Sequence, residues 1–247
     1  MNSIFVFIIL IYTIIYIADI DQCNDLSQKL HFFTSVQIFT IYYLTSAMLH
    51  LVFGSIATYL FFYHVKYKIR QQHNDNISFQ TVIITTIANH IIGLFCIMYF
   101  KYAFNPILSF NPFLLITQLL SAYAFVDGYH YVIHRFFHTI FMYKYIHKYH
   151  HYLKNPYALG SIFCHPVEHM LFNMCIVFLP IILFKMHFVT GLVIVLIATY
   201  RNIVGHSGLT LLQTTYNHHY HHIFTNYNYG IGISDTIFGT KLKIDAY

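Results

Sequence analysis

The chain has 247 residues, of which 57% belong to the apolar class and 9% are charged. Because a soluble domain carries roughly 25% charged residues, this composition excludes a soluble globular protein and favours one that spans a membrane several times. The net charge is +5 at pH 7, and no tract dense in Lys and Arg indicates a nucleic-acid partner. With 8 acidic residues against 19 histidines, metal binding or acid–base chemistry is expected to depend on imidazole.

Long apolar runs predict the membrane-spanning helices. Four runs approach the roughly 20 residues that cross the hydrocarbon core of a bilayer, and they cover residues 4–18, 36–65, 79–100 and 107–133. The first run has no basic segment before it and no clear cleavage pattern after it, so we interpret it as a retained span and not as a signal peptide. Residues 1–105 are therefore predicted to form an N-terminal transmembrane region.

A last apolar region, covering residues 170–184 and 187–204, is shortened by Pro180 and interrupted by Lys185. We expect a hairpin there that enters the bilayer in part. The predicted fold class is an all-α integral membrane protein with about four transmembrane helices, an embedded hairpin and a cytoplasmic, histidine-rich cap. Since no internal repeat or low-complexity linker is present, residues 1–105 and the catalytic region 106–247 are expected to form one integral domain.

The charged residues beside the spans predict the orientation in the membrane. The second span is followed by Lys66, Lys68 and Arg70, and the first by Asp19, Asp21 and Asp25. Because basic loops tend to remain cytoplasmic, we expect the N-terminus in the cytoplasm and the loop near residues 19–35 on the external or lumenal side. If the hairpin returns to the side from which it enters, residues 134–165 and 201–247 share a cytoplasmic face.

Three histidine clusters follow the fourth predicted span. They are HRFFH, HKYHH and HHYHH, whose repeated spacings place His134 and His138, then His147, His150 and His151, then His218, His221 and His222 each on one helical face. His206 lies between the second and third clusters, in GHSG, and His130 lies one turn before His134. The isolated histidines His31, His50, His64, His73, His90 and His187 are expected to be hydrogen-bonding or interfacial residues.

Neutral imidazoles at a membrane boundary are costly to bury unless they pair or bind a metal. Imidazole suits iron, zinc and copper, and three helical faces can surround two ions. A carboxylate-bridged di-iron site of the bundle type needs several glutamates, whereas Glu168 is the one glutamate of this chain, and the HExxH motif of zinc proteases is absent. The sequence therefore favours a dinuclear, nitrogen-ligated site, at which iron can activate dioxygen to attack an unreactive C–H bond.

The motifs also carry a family resemblance. The run from Asp127 through HYVIHRFFH, followed by MYKYIHKYHH, HPVEH, GHSG, HHYHH and NYNYGIGISDTIFGT, resembles the fatty acid hydroxylase superfamily of membrane di-iron enzymes. That superfamily includes sterol desaturases, 4-methyl sterol oxidases and fatty acid or sphingolipid hydroxylases. The resemblance covers about residues 120–241, where order, spacing and intervening motifs agree. One departure is Ser234, which precedes Asp235 where the family commonly has a Trp.

The resemblance implies which residues form the site. Two irons would be bound by the histidines of the three clusters, with His206 as an additional ligand. The candidate catalytic carboxylates Asp127, Glu168 and Asp235, together with Asn226, would orient ligands or knit the cap, and orientation by a carboxylate fixes the tautomer of an imidazole. Helix capping and turn formation are the structural alternative for the carboxylates. Whether His130 and His165 are ligands stays open.

The resemblance further implies an oxygen-dependent lipid hydroxylase or desaturase that takes its substrate from the bilayer. A sterol is the first choice, and a fatty acid or sphingolipid substrate is the alternative. Electrons would come from a separate donor such as cytochrome b5 or a reductase, and neither a haem nor a flavin is expected in this chain. The expected location is the endoplasmic reticulum if the host is eukaryotic, with the catalytic face cytoplasmic.

Two other kinds of protein stay possible from the residues. One is a redox-silent zinc-binding protein on the same scaffold, with zinc in place of iron and Glu168 or Asp127 as proton acceptor. The other is a metal transporter or a degenerate structural relative. Transporters usually place polar ligands at mid-membrane, whereas these clusters lie at the ends of the predicted spans.

Overall fold

A computed structural model of the chain describes residues 35–64, 66, 68–69, 77–100, 112–212 and 217–242. The predicted span over residues 4–18 lies outside them. Long helices dominate: α1 is Ser35–Tyr63, α2 is Phe79–Phe100, α3 is Pro112–Phe137, α5 is Pro166–Leu183 and α6 is Phe188–His206. The shorter helices are α4 (Ile140–Tyr145), α7 (Asn217–Ile223), α8 (Ile233–Ile237) and the 3₁₀ helices His147–Tyr152 and Ala158–Ile162. Across the described ranges the only β-type pairing is an isolated bridge between Lys68 and Leu209.

Four of the described helices are long and apolar enough to cross a membrane, namely Gln37–Tyr63, Phe79–Ile97, Pro166–Leu183 and Phe188–His206. The first two confirm the spans predicted over 36–65 and 79–100. Where the sequence predicts a hairpin that enters the bilayer in part, both helices are long and apolar enough to cross it, because α5 continues through a π-helical turn, His169–Met174, and Pro180 does not end it. Helix α3, predicted as a span over 107–133, is not among the four, since polar residues accumulate in its second half.

Aromatic side chains hold α1 against α5 and α6. The rings of Phe39 and Phe178 lie 5.4 Å apart, and Tyr42 stacks on Phe188 at 5.5 Å. The Tyr42 hydroxyl also donates a 2.6 Å hydrogen bond to the Phe188 carbonyl oxygen. Aromatic pairs in these geometries contribute about 0.5–1.5 kcal/mol beyond the area that they bury. This contact aligns α6, whose last residue is the predicted ligand His206.

A stretch of non-α-helical chain, residues 153–164, enters between α1, α2 and α6, and we call it the buried segment. Leu153, Tyr157 and Phe163 of this segment are at most 2% exposed and pack with Ala57 and Phe61 of α1. Irregular backbone at membrane depth is tolerated only where protein covers it and satisfies its polar groups. Side chains of α1 and α2 do so here, and the buried segment in turn lies against the histidine clusters.

Candidate metal centre

Five imidazoles form the first group of possible metal ligands. Helix α3 carries His134 in its last turn and leads into His138, the 3₁₀ helix adds His147 and His151, and α7 adds His221. One nitrogen of each lies within 4.8 Å of the corresponding nitrogens of all the others. Three Nε2–Nε2 distances are about as short as hydrogen bonds, at 3.0 Å for His138–His221, 3.1 Å for His138–His147 and 3.0 Å for His147–His151.

Four further imidazoles form the second group. His206 ends α6, His218 and His222 lie on α7, and His150 comes from the same 3₁₀ helix as His147. Their ligand nitrogens also lie within 4.8 Å of one another. The Nε2 atoms of His206 and His218 are 2.9 Å apart, and those of His206 and His150 are 3.3 Å apart. The two groups adjoin, since the rings of His150 and His151 are 5.7 Å apart.

The structure thus brings together all nine histidines that the sequence singled out, five in one group and four in the other. His130 and His165 belong to neither group. His130 packs on Phe172 at 4.7 Å, and its Nδ1–H donates to the Tyr229 carbonyl oxygen at 2.8 Å. His165 caps the start of α5, where its Nδ1 accepts from the Val167 amide.

Backbone carbonyl groups orient four of the nine imidazoles. In each case Nδ1 is 2.5–3.0 Å from a carbonyl oxygen, and the pairs are His134–Tyr229, His150–Phe163, His206–Asn202 and His221–Tyr227. Because a carbonyl oxygen accepts only, Nδ1 of each neutral ring must carry the proton. The Nε2 lone pair then points into the group, as it does in metal-binding imidazoles.

Of the three predicted carboxylates, Glu168 alone reaches a group. Its Oε1 lies 2.9 Å from Nδ1 of His147, and both side chains are almost fully buried. Asp127 instead binds the first turn of α8, and Asp235 binds the loop between α7 and α8. Asp127 accepts from the amide and hydroxyl of Ser234 at 2.8 and 2.6 Å, and Asp235 accepts from the amides of Tyr229 and Gly230 at 2.8 Å each.

Burial keeps these imidazoles neutral. Desolvation lowers the pKa of His147 to about 3, and desolvation with the neighbouring His147 lowers the pKa of His138 to about 2. The same cause, followed by contact with other histidines, holds the pKa values of His151, His218, His221 and His222 well below 6.5. At neutral pH the two groups therefore present uncharged nitrogen ligands.

The hydrogen-bond pattern itself fits a cation in each group. His150 and His206 both have Nδ1–H engaged with carbonyl oxygens, so their two Nε2 atoms, 3.3 Å apart, are acceptors only. Two lone pairs that face each other repel unless a positive charge lies between them. Nε2 of His134 and both ring nitrogens of His222 are buried and have no hydrogen-bond partner among the described residues. Two nitrogen ligands that are each about 2.1 Å from one ion, in directions at right angles to each other, lie about 3.0 Å apart. The Nε2 pairs His138–His221, His147–His151 and His206–His218 have such distances, at 3.0, 3.0 and 2.9 Å.

Sequence reasoning missed the backbone acceptors and one side chain. Nothing in the identities of Phe163, Asn202, Tyr227 or Tyr229 distinguishes their carbonyl oxygens from any others. Asn226, expected to knit the cap, is exposed, whereas Asn228 is buried and accepts from the Leu242 amide at 2.8 Å. The motif NYNYG was the available signal, but it offers two asparagines at alternate positions.

Comparisons with known proteins agree with the geometry. The sequence model of the fatty acid hydroxylase family, described as "Fatty acid hydroxylase", matches residues 119–240. The chain is 34% identical over 142 residues to a fatty acid hydroxylase of Mycosarcoma maydis, a match that covers 54% of this chain and 36% of the relative. It is 31% identical over 134 residues to sphinganine C4-monooxygenase 1 of Arabidopsis thaliana, a match that covers 54% of this chain and 50% of the relative.

A longer match extends the similarity into the N-terminal half. A protein of Dictyostelium discoideum provisionally named a methylsterol monooxygenase is 31% identical over 209 residues, which cover 76% of this chain and 77% of that protein. By contrast, this chain covers half or less of the two relatives named before it. No solved structure matches the chain.

Proposed function

This chain belongs to the fatty acid hydroxylase superfamily, and on that basis we propose that it is a membrane oxidoreductase that uses dioxygen and external electrons to hydroxylate or desaturate a lipid. Its nine clustered histidines would hold two iron ions, one in each group. The observation that carries the proposal is the pair of adjoining groups, in one of which the Nε2 lone pairs of His150 and His206 face each other without a proton between them.

Iron is favoured over zinc by the number of ligands. Zinc sites are almost always four-coordinate when structural, and catalytic ones usually keep three protein ligands. The first group offers five imidazoles, which suits an ion that accepts a higher coordination number. Iron also supplies the redox chemistry that an oxidation of an unactivated C–H bond requires and that side chains lack.

The chain's own residues prepare and protect that chemistry. The carbonyl oxygens of Tyr229 and Tyr227 keep protons on Nδ1 of His134 and His221, and Glu168 lies against Nδ1 of His147. His221 and His222 are fully buried, which keeps bulk water from the groups. For hydroxylation the balance is lipid C–H, one dioxygen, two electrons and two protons, giving the alcohol and one water. The electrons come from a separate donor such as cytochrome b5 or a reductase.

A sterol is the proposed substrate class, supported by the 209-residue match to the Dictyostelium protein. A fatty acyl or sphingoid chain is the second candidate. The specific observation in its favour is the higher identity, 34%, to the fatty acid hydroxylase of Mycosarcoma maydis. Both classes are delivered by a bilayer, in agreement with four helices that can cross one. We propose a cytoplasmic catalytic face and, in a eukaryotic host, the endoplasmic reticulum.

The test is metal content and lipid turnover of the purified protein. We expect close to two irons per chain, with oxidised lipid formed only when dioxygen and a reductase system are both supplied. His221→Ala should abolish turnover and lower the iron content, whereas His165→Ala, which changes a histidine outside both groups, should leave two irons. Two zincs without redox activity after iron reconstitution would contradict the proposal, and so would full activity of His221→Ala.

A further inference from the structure

The amide side chain of Asn89 in α2 donates two hydrogen bonds to backbone carbonyl groups of the buried segment, one on each side of Phe163. Asn89 is fully buried, and its Nδ2 donates to the carbonyl oxygens of Ile162 and Cys164 at 2.9 Å each. These carbonyl groups flank Phe163, so both donor hydrogens of one amide are used on alternate residues of the chain. Asn89 lies outside residues 119–240, the region that the family model matches.

The carbonyl group between those two is the acceptor for a ligand of the second group. The Phe163 oxygen accepts the Nδ1 proton of His150 at 3.0 Å. With its neighbours fixed towards Asn89, the Phe163 carbonyl is held towards His150. The orientation of the His150 ring therefore depends on Asn89 through one residue of backbone.

Other side chains of α1 and α2 hold the same segment. Thr58 accepts from the Leu159 amide at 3.0 Å, and Thr86 donates to the Leu159 carbonyl oxygen at 3.1 Å. His50 Nε2 lies 2.9 Å from the Ser161 hydroxyl. The two N-terminal helices thus fix both ends of the part that carries Phe163.

A second route leads from the buried segment to His206. The amide of Asn202 in α6 donates to the Ser161 carbonyl oxygen at 3.5 Å, and the Asn202 carbonyl oxygen accepts from His206 Nδ1 at 2.8 Å. His150 and His206 both belong to the four-histidine group. No corresponding contact joins Asn89 to the five-histidine group among the hydrogen bonds of the described residues.

We infer that Asn89 is a positioning residue for the four-histidine group, so that α2, a helix outside the family-matched region, sets the geometry of one of the two metal sites. This inference rests on the proposed function, because it concerns the metal that those histidines would hold. Removing the Asn89 amide takes its donor from two buried carbonyl oxygens and leaves that of Ile162 with only the weak thiol donor of Cys164 at 3.6 Å, at a cost that the segment can reduce only by moving. The Phe163 carbonyl then no longer holds His150 in place.

The experiment compares Asn89→Leu with Gln118→Leu in the full-length protein. Gln118 is a matched control: it is also a buried amide, its Nε2 donates at 3.4 Å to the consecutive carbonyl oxygens of Phe184 and Lys185, and its Oε1 accepts from the His187 amide. That turn carries no residue of either histidine group. Both variants remove one buried amide, and only one of them touches the buried segment.

The readout is metal stoichiometry and the affinity of each site, titrated with ferrous iron or cobalt under anaerobic conditions, and it does not depend on activity. Mutation of a residue that orients a metal ligand typically lowers the metal affinity 10- to 100-fold. We expect Asn89→Leu to weaken one site about tenfold or more and to retain close to one metal per chain after dialysis. Gln118→Leu should retain close to two metals per chain after the same dialysis. Adding His222→Ala to Asn89→Leu should cause no further loss, because both changes affect the same site.

Several outcomes would overturn the inference while leaving the proposed function intact. Two metals with unchanged affinity in Asn89→Leu would do so, as would equal losses in Asn89→Leu and Gln118→Leu, or loss of both metals in the double variant. If Asn89→Leu does not fold, His50→Phe removes the Ser161 contact and should weaken the same site. Unchanged affinity in His50→Phe would then count against the inference. A wild-type protein that binds no metal would contradict the proposed function itself.

Discussion

At the scale of single residues, the decisive feature is the direction of each imidazole. A histidine offers two nitrogens, and the partner of one determines the role of the other. Carbonyl oxygens make that choice for four of the nine clustered rings, and Glu168 is the one side-chain carboxylate that approaches a fifth, His147. The Glu168 carboxyl group should therefore matter mainly for the five-histidine group.

Glu168→Gln keeps the shape of the side chain and replaces its carboxyl group by an amide. We expect the affinity of the five-histidine group for iron to fall about 10- to 100-fold, because His147 loses the partner that raises its strength as a ligand. The measurement is iron retention during dialysis, with Val167→Ala, an exposed neighbour on the same helix, as the control. Loss confined to the four-histidine group would contradict this assignment of Glu168.

The buried imidazoles also predict how stability depends on pH in the metal-free protein. Burial lowers the pKa of His138 to about 2 and of His147 to about 3, from 6.5 in the unfolded chain. Below pH 6.5 the unfolded chain binds protons on these two imidazoles that the folded chain does not bind, so their contribution to stability is lost as the pH falls from 6.5 towards 2. Thermal unfolding at pH 8, 7, 6 and 5 tests this. The prediction would be contradicted if the melting temperature stayed the same as the pH is lowered from 6.5 to 5.

At the scale of elements, the loop after α7 is a structural part of the centre. It supplies the carbonyl oxygens of Tyr227 and Tyr229, and it is held to α3 by Asp127. Asp235 closes the loop on itself, with Oδ1 also accepting from the Thr240 hydroxyl at 2.8 Å. Two aspartates without contact to the histidines thereby fix the partners of His134 and His221.

Asp235→Asn should loosen this loop. An amide cannot accept on both sides as the carboxylate does, and hydrogen bonds to a charged acceptor contribute about 1.5–3 kcal/mol each. We expect a stability loss of about 2 kcal/mol and weaker iron binding in the five-histidine group. Unfolding and iron titration measure both effects. Thr236→Ala, on the exposed side of the same short helix, should change neither, and an equal effect there would contradict the role given to Asp235.

At the scale of the whole molecule, the last two long helices define where the centre lies. Helix α6 has 19 residues, which gives about 28 Å between its ends. His206 is at one end, and the turn that contains Lys185 precedes the other. The histidine groups therefore lie at one end of the helix bundle, and the turn between α5 and α6 lies at the opposite end.

Lys148→Cys and Lys185→Cys should accordingly react with a membrane-impermeant maleimide from opposite sides of sealed vesicles. Both lysines are exposed, and α5 and α6 are each long enough to cross the membrane. Labelling above the background of the unsubstituted chain, from each side in turn, is the measurement. Labelling of both from one side, or no labelling of Lys185→Cys from either side, would support the shallow hairpin that the sequence predicted.

The sequence predicts the helical class, two of the spans and the histidines that converge, because apolar runs and histidine spacing are local patterns. It does not predict how HKYHH is divided, because the spacing predicts one α-helical face, whereas the structure forms the 3₁₀ helix His147–Tyr152 and places His150 in the other group. It also gives no sign of the acceptor at Phe163, because every residue has a carbonyl group. Nor does it predict the role of Asn89, because Asn89 is one of several polar residues in α2 and no spacing distinguishes it from the others.

The division of neighbouring histidines has a consequence for the gene. His150 and His151 belong to different groups, and so do His221 and His222. Deleting or inserting one codon inside either cluster would move the downstream imidazoles by one position, so that at least one of the two groups would lose a ligand. The stretch between His206 and His218 carries no such pair. Length variation should therefore be accepted there and rejected within residues 147–151 and 218–222.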